Sequence, residues 1–411
     1  MKIEHWAIFL DNTSNKGYFI DLLLQGHPPK KFQAFQDAKG TLFSKLAIER
    51  FIDEEDRHGS KILTSDTEQS LKSMSSGEQK KALLNYILSA DCDFIVLDNP
   101  FDNLDTDTQA ELKIRLEAVS KKMVMIQLVS RKSDILSFIS NLARLEGEQL
   151  VFTETGKEHS DSRTIQQFDG EIPPPLHPMD FDGDILIDLK RVHVSYGNRP
   201  ILNAIDWTIT KGDFWELRGK NGSGKTTILS MITGENPKGY GQELYIFGRK
   251  KGSGESVWDI KKKIGYFTPS MTDKFTGYHS VEHMIISGLN DSIGLYIKPT
   301  EVQLRLAKEW LRLIGLSQIK DMLYHDLSMG QKRLVMCARA MVKHPPLLIL
   351  DEPTAGLDDA SAALFVALVN KFAKESETTT IFVSHRKEPG LEPDYIYQLE
   401  ITEAGSSGRR L

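Results

Sequence analysis

One octapeptide dominates the sequence: Gly219-Lys220-Asn221-Gly222-Ser223-Gly224-Lys225-Thr226. It fits the pattern G-x-x-x-x-G-K-[ST], in which successive backbone N–H groups surround phosphate oxygens. The glycines allow a tight turn, Lys225 supplies a positive charge for the β- and γ-phosphates, and the Thr226 hydroxyl suits Mg²⁺. A strand pattern precedes the loop, and a helical pattern that begins at Thr227 follows it. The sequence therefore predicts a site for a nucleoside triphosphate.

The composition limits the remaining possibilities. A chain of 411 residues with 40% hydrophobic and 26% charged residues has room for two or three globular domains. A net charge of -6 argues against a general nucleic-acid binder. The two cysteines, Cys92 and Cys337, are far apart and indicate a reducing compartment without a disulfide framework. No stretch approaches the roughly eighteen apolar residues of a membrane span, so any membrane role would need a partner.

A second group of motifs lies downstream of the loop. The apolar run 347–350 ends in Asp351 and Glu352, and a later run, 381–384, ends in His385. Parallel sheets present polar side chains at the carboxyl ends of such strands, where ligands bind. We therefore expect these three side chains near the phosphate loop.

These motifs resemble those of the ATP-binding cassette (ABC) ATPases, over about residues 183–411. In that family an aromatic residue is followed by the phosphate loop, the signature LSGGQ, the Walker B strand with Asp-Glu, the D-loop and a switch histidine. The same order is found here: Tyr196, Gly219–Thr226, Leu327–Gln331, Asp351 with Glu352, Asp358 and His385.

The resemblance implies a role for each of these positions. Tyr196 would stack on adenine, and residues 219–227 would bind the phosphates of ATP. Asp351 would hold Mg²⁺ together with the Thr226 hydroxyl, Glu352 would polarise the attacking water, and Lys225 and His385 would contact the γ-phosphate. With Glu352, these last two residues form the expected catalytic set.

The first half of the chain repeats the later motifs. Met74-Ser75-Ser76-Gly77-Glu78 precedes the strand pattern Phe94–Asp98, which is followed by Asn99, Asp105 and Arg131. Signature glycine and Walker B aspartate are 21 residues apart in both halves, and the Walker B and D-loop aspartates are 7 apart in both. The switch positions follow the Walker B aspartates by 33 and 34 residues. The chain is therefore predicted to be two cassettes in tandem.

The phosphate loop of the first copy is degenerate. Its equivalent is Leu10–Gly17, which keeps Lys16 but has lost the loop glycines and the Mg²⁺-binding hydroxyl. Loop lysine and Walker B aspartate are 82 residues apart in this half and 126 apart in the other, so about 44 residues are missing. Asn99 replaces the catalytic glutamate and Arg131 the switch histidine. We expect no ATP turnover at Asp98 and its neighbours, while nucleotide binding there stays open.

The expected fold class is α/β: two P-loop NTPase cassettes, each with a mixed sheet, flanking helices and a helical subdomain, in pseudo-twofold arrangement. Residues 1–155 would form the truncated cassette, 156–182 a Pro-rich linker and 183–411 the intact cassette. The segment Leu42–Ile52 predicts a core-facing helix. The tail 404–411 is expected to be frayed.

In this family a nucleotide lies between the phosphate loop of one cassette and the signature of another. The resemblance therefore implies one working composite site, in which Ser75, Ser76 and Gly77 close over the γ-phosphate held by the intact loop. The other pairing, of the degenerate loop with Ser328 and Gly330, is expected to be inactive.

Three assignments have a plain structural alternative. Tyr196 is equally compatible with a packed or turn tyrosine. Lys16 fits a solvated lysine left over from a lost loop. Ser75–Gly77 with Glu78 fits a helix N-cap, although a helix N terminus is also a good phosphate site.

Tandem cassettes without a membrane span are similar to ATPase proteins associated with bacterial molybdate uptake. This implies a cytoplasmic Mg²⁺-ATPase, at the inner face of the membrane when bound to a transmembrane permease, with a homodimer left open. The Q-loop segment Ile264–Ser270 lacks the glutamine that usually links a cassette to its permease. One rival is a non-transport ATPase acting on ribosomes or nucleic acid, against which the short Pro-rich linker argues. Another is an ATP-dependent binding switch, against which Glu352 argues.

Overall fold

The computed structural model describes residues 4–65, 69–152, 168–177, 181–275 and 277–411. The chain divides into two units, one of residues 1–161 with 356–359 and one of residues 162–355 with 360–411. Most of the predicted linker, 156–182, lies outside the described residues. Its described residues are 168–177 with 181 and 182, and they include Ile172, whose N–H donates to Glu375 of the same, second unit.

The first unit contains one six-stranded sheet in the order β2-β3-β4-β1-β5-β6. All pairs are parallel except the last, β5 with β6. The strands are Trp6–Leu10 (β1), Gly40–Phe43 (β2), Phe94–Asp98 (β3), Val124–Val129 (β4), Asn141–Glu146 (β5) and Gln149–Phe152 (β6). The helices are Lys16–Leu24 (α1), Lys45–His58 (α2), Ser76–Ser89 (α3) and Thr106–Ser120 (α4).

Both faces of this sheet are buried. Phe94 and Val96 of β3 pack with residues of α1 on one side, whereas Ile95 and Leu97 pack with residues of α3 and α4 on the other. Side chains alternate along a strand, so a strand covered on both faces needs a continuous apolar run. Each such side chain contributes about 1.5–3 kcal/mol of burial free energy. The run ends at Asp98, where the strand reaches the edge of the sheet.

The described residues of the second unit form two sheets. Its strands are Ile185–Tyr196 (β7), Arg199–Thr210 (β8), Phe214–Gly219 (β9), Leu244–Ile246 (β10), Arg249–Lys250 (β11), Ile264–Phe267 (β12), Leu347–Asp351 (β13), Thr379–Ser384 (β14), Tyr395–Glu400 (β15) and Ser407–Arg410 (β16). The antiparallel sheet has the order β11-β10-β7-β8, and the six-stranded sheet has the order β12-β13-β14-β9-β15-β16. The helices are Lys225–Ile232 (α5), Val257–Lys262 (α6), Pro269–Lys274 (α7), Val281–Ser287 (α8), Glu301–Leu313 (α9), Met329–Met341 (α10) and Asp359–Glu375 (α11).

The two six-stranded sheets have the same topology. In each, the strand before the phosphate-loop position lies fourth in the order, and the last pair is antiparallel. The predicted α/β tandem-cassette fold is thereby confirmed. Between β12 and β13 the second unit has four helices, α7 to α10, with α8 packed on α9 and α10. The first unit has only α2 and α3 at the corresponding place among its described residues, as the 44-residue deficit predicted.

One local prediction was wrong about where a helix starts, and another was wrong altogether. Leu42 and Phe43 end strand β2, and the helix starts only after Ser44, whose side chain accepts the Ala47 N–H as an N-cap. The tail is not frayed, because Ser407–Arg410 pairs with β15 as the edge strand of the sheet. Both errors arise because strand pairing with distant residues overrides local sequence preference.

None of the helices in the described part of the chain combines the length and the apolar character that a membrane crossing requires.

Candidate functional site

Three neighbouring parallel strands of the second unit end at the same edge of the sheet. β9 ends at Gly219, β13 at Asp351 and β14 at Ser384, and Asp351 is in register with Val383. The backbone N–H of Glu352 donates to the Val383 carbonyl at 3.0 Å, which extends this pairing by one residue. Residues that follow these strands therefore converge, as ligand-binding residues do in open α/β sheets.

The loop between β9 and α5 requires glycine at two positions. Gly222 and Gly224 have φ values of +79° and +91°, in the left-handed region. A Cβ atom on Gly224 would also lie 2.5 Å from the Leu202 side chain. Helix α5 begins directly afterwards at Lys225, so its N-terminal N–H groups lie at the loop. Such a helix end attracts anions.

The side chains of the loop leave polar groups for a ligand. Lys225 is buried, and its Nζ donates to the carbonyls of Gly219 at 2.7 Å and Lys220 at 3.1 Å. Ser223 Oγ is buried and has no hydrogen-bond partner within the described residues. Buried polar atoms of native proteins are nearly always paired, which indicates a polar ligand here. The predicted loop residues that reach solvent at least in part are Lys220, Asn221, Gly222, Gly224, Thr226 and Thr227.

Two carboxylates lie close enough to Lys225 for its charge to act on both. Burial and the charge of Glu352 raise the pKa of Asp351 to about 6, against the opposing effect of Lys225. Burial by itself would raise the pKa of Glu352 too, but His385, Lys225 and Arg386 together lower it below its ordinary value. Glu352 is therefore a carboxylate at neutral pH, the form that a general base requires.

His385 follows β14 and contacts this carboxylate. Its Nδ1 lies 3.3 Å from Glu352 Oε1, and its side chain is 4% exposed. Its Nε2 is buried without a hydrogen-bond partner in the part of the chain that the structure describes. One nitrogen is thus positioned by Glu352, and the other is left for a ligand atom.

Tyr266 is a site residue that the sequence did not reveal. It lies on β12, and its hydroxyl donates to Asp351 Oδ2 at 3.4 Å. The parallel pairing of Tyr266 with Ile349 places the ring beside the Walker B strand. A tyrosine within the segment that lacks the expected glutamine was the available signal.

The backbone at Glu352 is strained. Its φ is +49°, in a region that non-glycine residues adopt at a cost of order 1–3 kcal/mol. Asn99, at the corresponding position of the first unit, has a φ of +43°. The D-loop positions Gly356 and Asn103 are also both left-handed, at +74° and +59°. The two sets of cassette motifs therefore share local backbone geometry, and the two units share strand order.

Tyr196 ends β7 in the antiparallel sheet and is 46% exposed. Its hydroxyl accepts a hydrogen bond from Asn236 Nδ2 at 2.8 Å. The ring therefore has a solvent-accessible surface, which a stacking partner of a base needs, and it is tied at one end.

The loop of the first unit has a different backbone. None of residues 11–17, all of which are described, has a positive φ. The Asp11 carboxylate accepts hydrogen bonds from the Thr13 N–H at 2.8 Å, the Thr13 hydroxyl at 2.7 Å and the Ser14 hydroxyl at 3.3 Å. The loop is thus folded around a carboxylate of its own.

Lys16 and Asp98 form an ion pair in this unit. The lysine Nζ lies 3.1 and 3.0 Å from the two carboxylate oxygens. Asn99 exchanges two hydrogen bonds with Ser130, at 3.2 and 3.0 Å, and Arg131 is buried. The counterparts of Lys225 and Asp351 are therefore bonded to each other.

The signature segments start helices in both units. The Ser75 side chain accepts the Glu78 N–H at 3.3 Å and donates to the Glu78 carboxylate at 2.7 Å, while Ser76 Oγ donates to a D-loop carbonyl. Ser328 forms the same capping box with Gln331 at the start of α10. Helix capping, the plain alternative for this segment, is therefore present.

Comparison with known proteins extends these observations. Residues 202–355 match the family described as ABC transporter. The ABC transporter ATP-binding protein ModF of Escherichia coli is 37% identical over 339 residues, 79% of this chain and 69% of that protein. An uncharacterized ABC transporter ATP-binding protein of Schizosaccharomyces pombe, C323.04, is 29% identical over 326 residues, 78% and 66% of the two chains.

Among solved structures, a chain of the model of ribosome-bound archaeal Pelota and ABCE1 matches 99% of this chain and 74% of its own length. The TM-score is 0.66 and the sequence identity 16%, so the likeness concerns the fold alone. Taken with the ordered motifs and the similarity to ModF over more than two thirds of both proteins, it confirms the resemblance seen in the sequence. The chain belongs to the ATP-binding cassette ATPases, with two cassettes in tandem, and is an enzyme that binds and hydrolyses ATP.

Proposed function

We propose that the chain hydrolyses ATP at one site, built on the second unit. Residues 219–227 bind the phosphates, Tyr196 stacks on the adenine, Glu352 accepts the proton of the attacking water, and His385 contacts the γ-phosphate. The asymmetry of the two units carries this proposal. In the second unit the lysine, both carboxylates and the histidine converge near two polar atoms, Ser223 Oγ and His385 Nε2, that have no hydrogen-bond partner among the described residues.

Among its described residues, the first unit offers no comparable set of groups. Its lysine and Walker B aspartate are paired, and its loop encloses the Asp11 carboxylate. Binding a phosphate there requires breaking these interactions and bringing a second anion close to Asp11. We therefore propose one nucleotide per chain.

The groups of the second unit meet the requirements of phosphoryl transfer. The reaction depends on positioning and on charge stabilisation rather than on covalent chemistry by the protein. The N–H groups of the loop and Lys225 stabilise charge on the phosphate oxygens. Glu352 orients the water and takes its proton, while its bond to His385 holds the imidazole in place.

Thr226 and Asp351 fit Mg²⁺ as a cofactor. Mg²⁺ prefers oxygen ligands and keeps several of its waters, so one hydroxyl and one carboxylate suffice. Thr226 is exposed at the loop, and Asp351 ends the neighbouring strand. When bound, the ion would neutralise charge between the phosphates.

Ser75, Ser76 and Gly77 remain part of the proposal through the family resemblance, as the segment that closes over the γ-phosphate. Their position at the N terminus of α3 supports this, because backbone N–H groups are available there.

Ser75→Arg is expected to abolish most of the Mg²⁺-dependent hydrolysis, because a bulky side chain would obstruct closure over the γ-phosphate. Ser328→Arg is the matched control: it removes the same kind of N-cap, which costs about 1 kcal/mol in either case, but should leave the rate within twofold. Steady-state phosphate release at saturating ATP measures both. The reverse result, loss with Ser328→Arg alone, would mean that two chains pair through their second units as a homodimer.

For the cellular role, we propose the ATPase component of a transport system, acting at the cytoplasmic face of a membrane with a separate permease. ModF, which is similar over most of the chain, is named an ABC transporter ATP-binding protein. Molybdate is the solute that the sequence resemblance implies.

Fractionation of cells that carry the Glu352→Gln chain would test this role. With ATP present, we expect the chain to sediment with washed membranes and to be released when ATP is removed. Sedimentation with ribosomes instead would replace the transport role by the rival one. Recovery only in the soluble fraction would favour a binding switch without a membrane partner.

A further inference from the structure

Asn236 contacts the tyrosine that the proposed function assigns to the base. Its Nδ2 donates to the Tyr196 hydroxyl at 2.8 Å and also to Ser230 Oγ at 3.1 Å. Asn236 itself is 9% exposed, whereas Tyr196 is 46% exposed. An exposed ring is thus fixed through a buried amide.

The orientation of this amide is determined by its surroundings. Asn236 Oδ1 accepts the Lys238 N–H at 3.0 Å, so oxygen must face that donor and nitrogen must face Tyr196. The backbone N–H of Asn236 donates to the Ser230 carbonyl at 2.9 Å. All polar atoms of the side chain are therefore used, and the residue has one arrangement that satisfies them.

Ser230 connects the hydrogen-bonded pair of Asn236 and Tyr196 to the helix that follows the phosphate loop. It lies on α5, the helix that begins at Lys225, and its hydroxyl also donates to the Thr227 carbonyl at 3.0 Å. The bonds from Tyr196 through Asn236 to Ser230 thus join the antiparallel sheet to the helix that carries the phosphate loop. The Lys238 ammonium lies 5.6 Å from the centroid of the Tyr196 ring and restricts the ring further.

We propose that Asn236 is a positioning residue for the base of a purine nucleoside triphosphate. It holds the ring of Tyr196 at a set distance from the phosphate loop, so that base and phosphates can be bound together. This inference rests on the proposed function, in which Tyr196 stacks on adenine. Removal of the hydrogen bond between Asn236 and Tyr196 should therefore lower the affinity for nucleotides, but not the affinity for a ligand that lacks the base.

Binding is measured with the full chain in the Glu352→Gln background, which prevents turnover, by calorimetric titration of ATP and of inorganic tripolyphosphate. Tyr196→Phe keeps the ring and removes only its hydrogen bond to Asn236. We expect it to weaken ATP binding about fivefold, the effect of one net hydrogen bond, and to leave tripolyphosphate binding unchanged. Tyr245→Phe is the matched control: Tyr245 lies on the same antiparallel sheet, its hydroxyl donates to Glu243 at 2.9 Å, and its loss should change neither affinity.

Asn236→Ala should reproduce the Tyr196→Phe effect, and the two changes should not add when combined. Asn236→Asp should restore most of the affinity, because the tyrosine hydroxyl, which accepts from Asn236, can instead donate to a carboxylate. In the catalytically active chain, the same variants should raise KM for ATP and leave kcat unchanged. Equal weakening of ATP and tripolyphosphate would overturn the inference, since it would mean that Asn236 only supports the loop.

Tyr196→Ala distinguishes the base contact of Tyr196 from the positioning role of Asn236. It should weaken ATP binding roughly tenfold or more through loss of stacking. No effect of this variant would remove the base contact from the proposed function. A clear effect of Tyr196→Ala without any effect of Tyr196→Phe or Asn236→Ala would leave the base contact and overturn the positioning role alone.

Discussion

Glu352→Gln is expected to lower kcat for ATP hydrolysis by two to four orders of magnitude, the usual contribution of a general base. The amide keeps the size of the side chain but cannot accept the proton of the attacking water. It also loses the charge that faces His385, with Nδ1 at 3.3 Å. ATP binding should persist, since the loop and Lys225 are unchanged. Phosphate release at saturating Mg²⁺-ATP measures the effect.

Asn99→Gln is the matched control for this variant, because it changes the corresponding position of the first unit. It should leave kcat within twofold. Glu352→Asn should be as inactive as Glu352→Gln but at least as stable toward unfolding, since asparagine tolerates the left-handed φ of +49° better. A Glu352→Gln chain that retains more than about a tenth of the rate would show that another group acts as the base.

Lys225→Ala is expected to weaken ATP binding by about two orders of magnitude or more. Removal of one partner from a buried charge pair costs roughly 2–5 kcal/mol, and Lys225 is buried at the loop. The affinity of the purified chain for ATP, measured at equilibrium with the number of sites per chain, gives the result. Wild type should bind one nucleotide.

Lys16→Ala is the counterpart in the first unit and should change neither the affinity nor the number of sites. It breaks a half-exposed ion pair, with Lys16 48% and Asp98 13% exposed in their side chains, so the stability loss should stay within about 1 kcal/mol. Two nucleotides on the wild-type chain and one on Lys16→Ala would contradict the proposal that the first loop is closed.

The sequence predicted those parts of the fold that depend on local patterns. Apolar runs such as 94–97 and 347–350 indicated strands buried on both faces, and the spacing of their motifs indicated the duplication. The convergence of Lys225, Asp351 and His385 followed from the rule that ligands bind where parallel strands end.

What the sequence did not show depends on contacts between distant residues. Tyr266 meets Asp351 across 85 residues, and Asn236 meets Tyr196 across 40. Nothing in the local pattern around Asn236 marks it as a partner of Tyr196, and the missing Q-loop glutamine near Tyr266 does not point to Asp351. The ion pair of Lys16 with Asp98 likewise joins residues that are 82 positions apart. The sequence left nucleotide binding at the first loop open, and this ion pair is the reason for the prediction that none binds there.

Asn99 and Glu352 have the same left-handed backbone, so the cost of placing a catalytic glutamate in this conformation can be compared with that of asparagine within one chain. In the unit without a general base, the position carries a residue that accepts this conformation easily. In the unit that is proposed to hydrolyse ATP, it carries one that does so at a cost in folding free energy. The difference in backbone strain energy between Glu352 and Asn99 is therefore the local loss of stability that a catalytic glutamate causes. Both positions lie in the same molecule and can be compared under the same conditions. Exchanging the two side chains would therefore separate the requirements of the fold from those of the reaction.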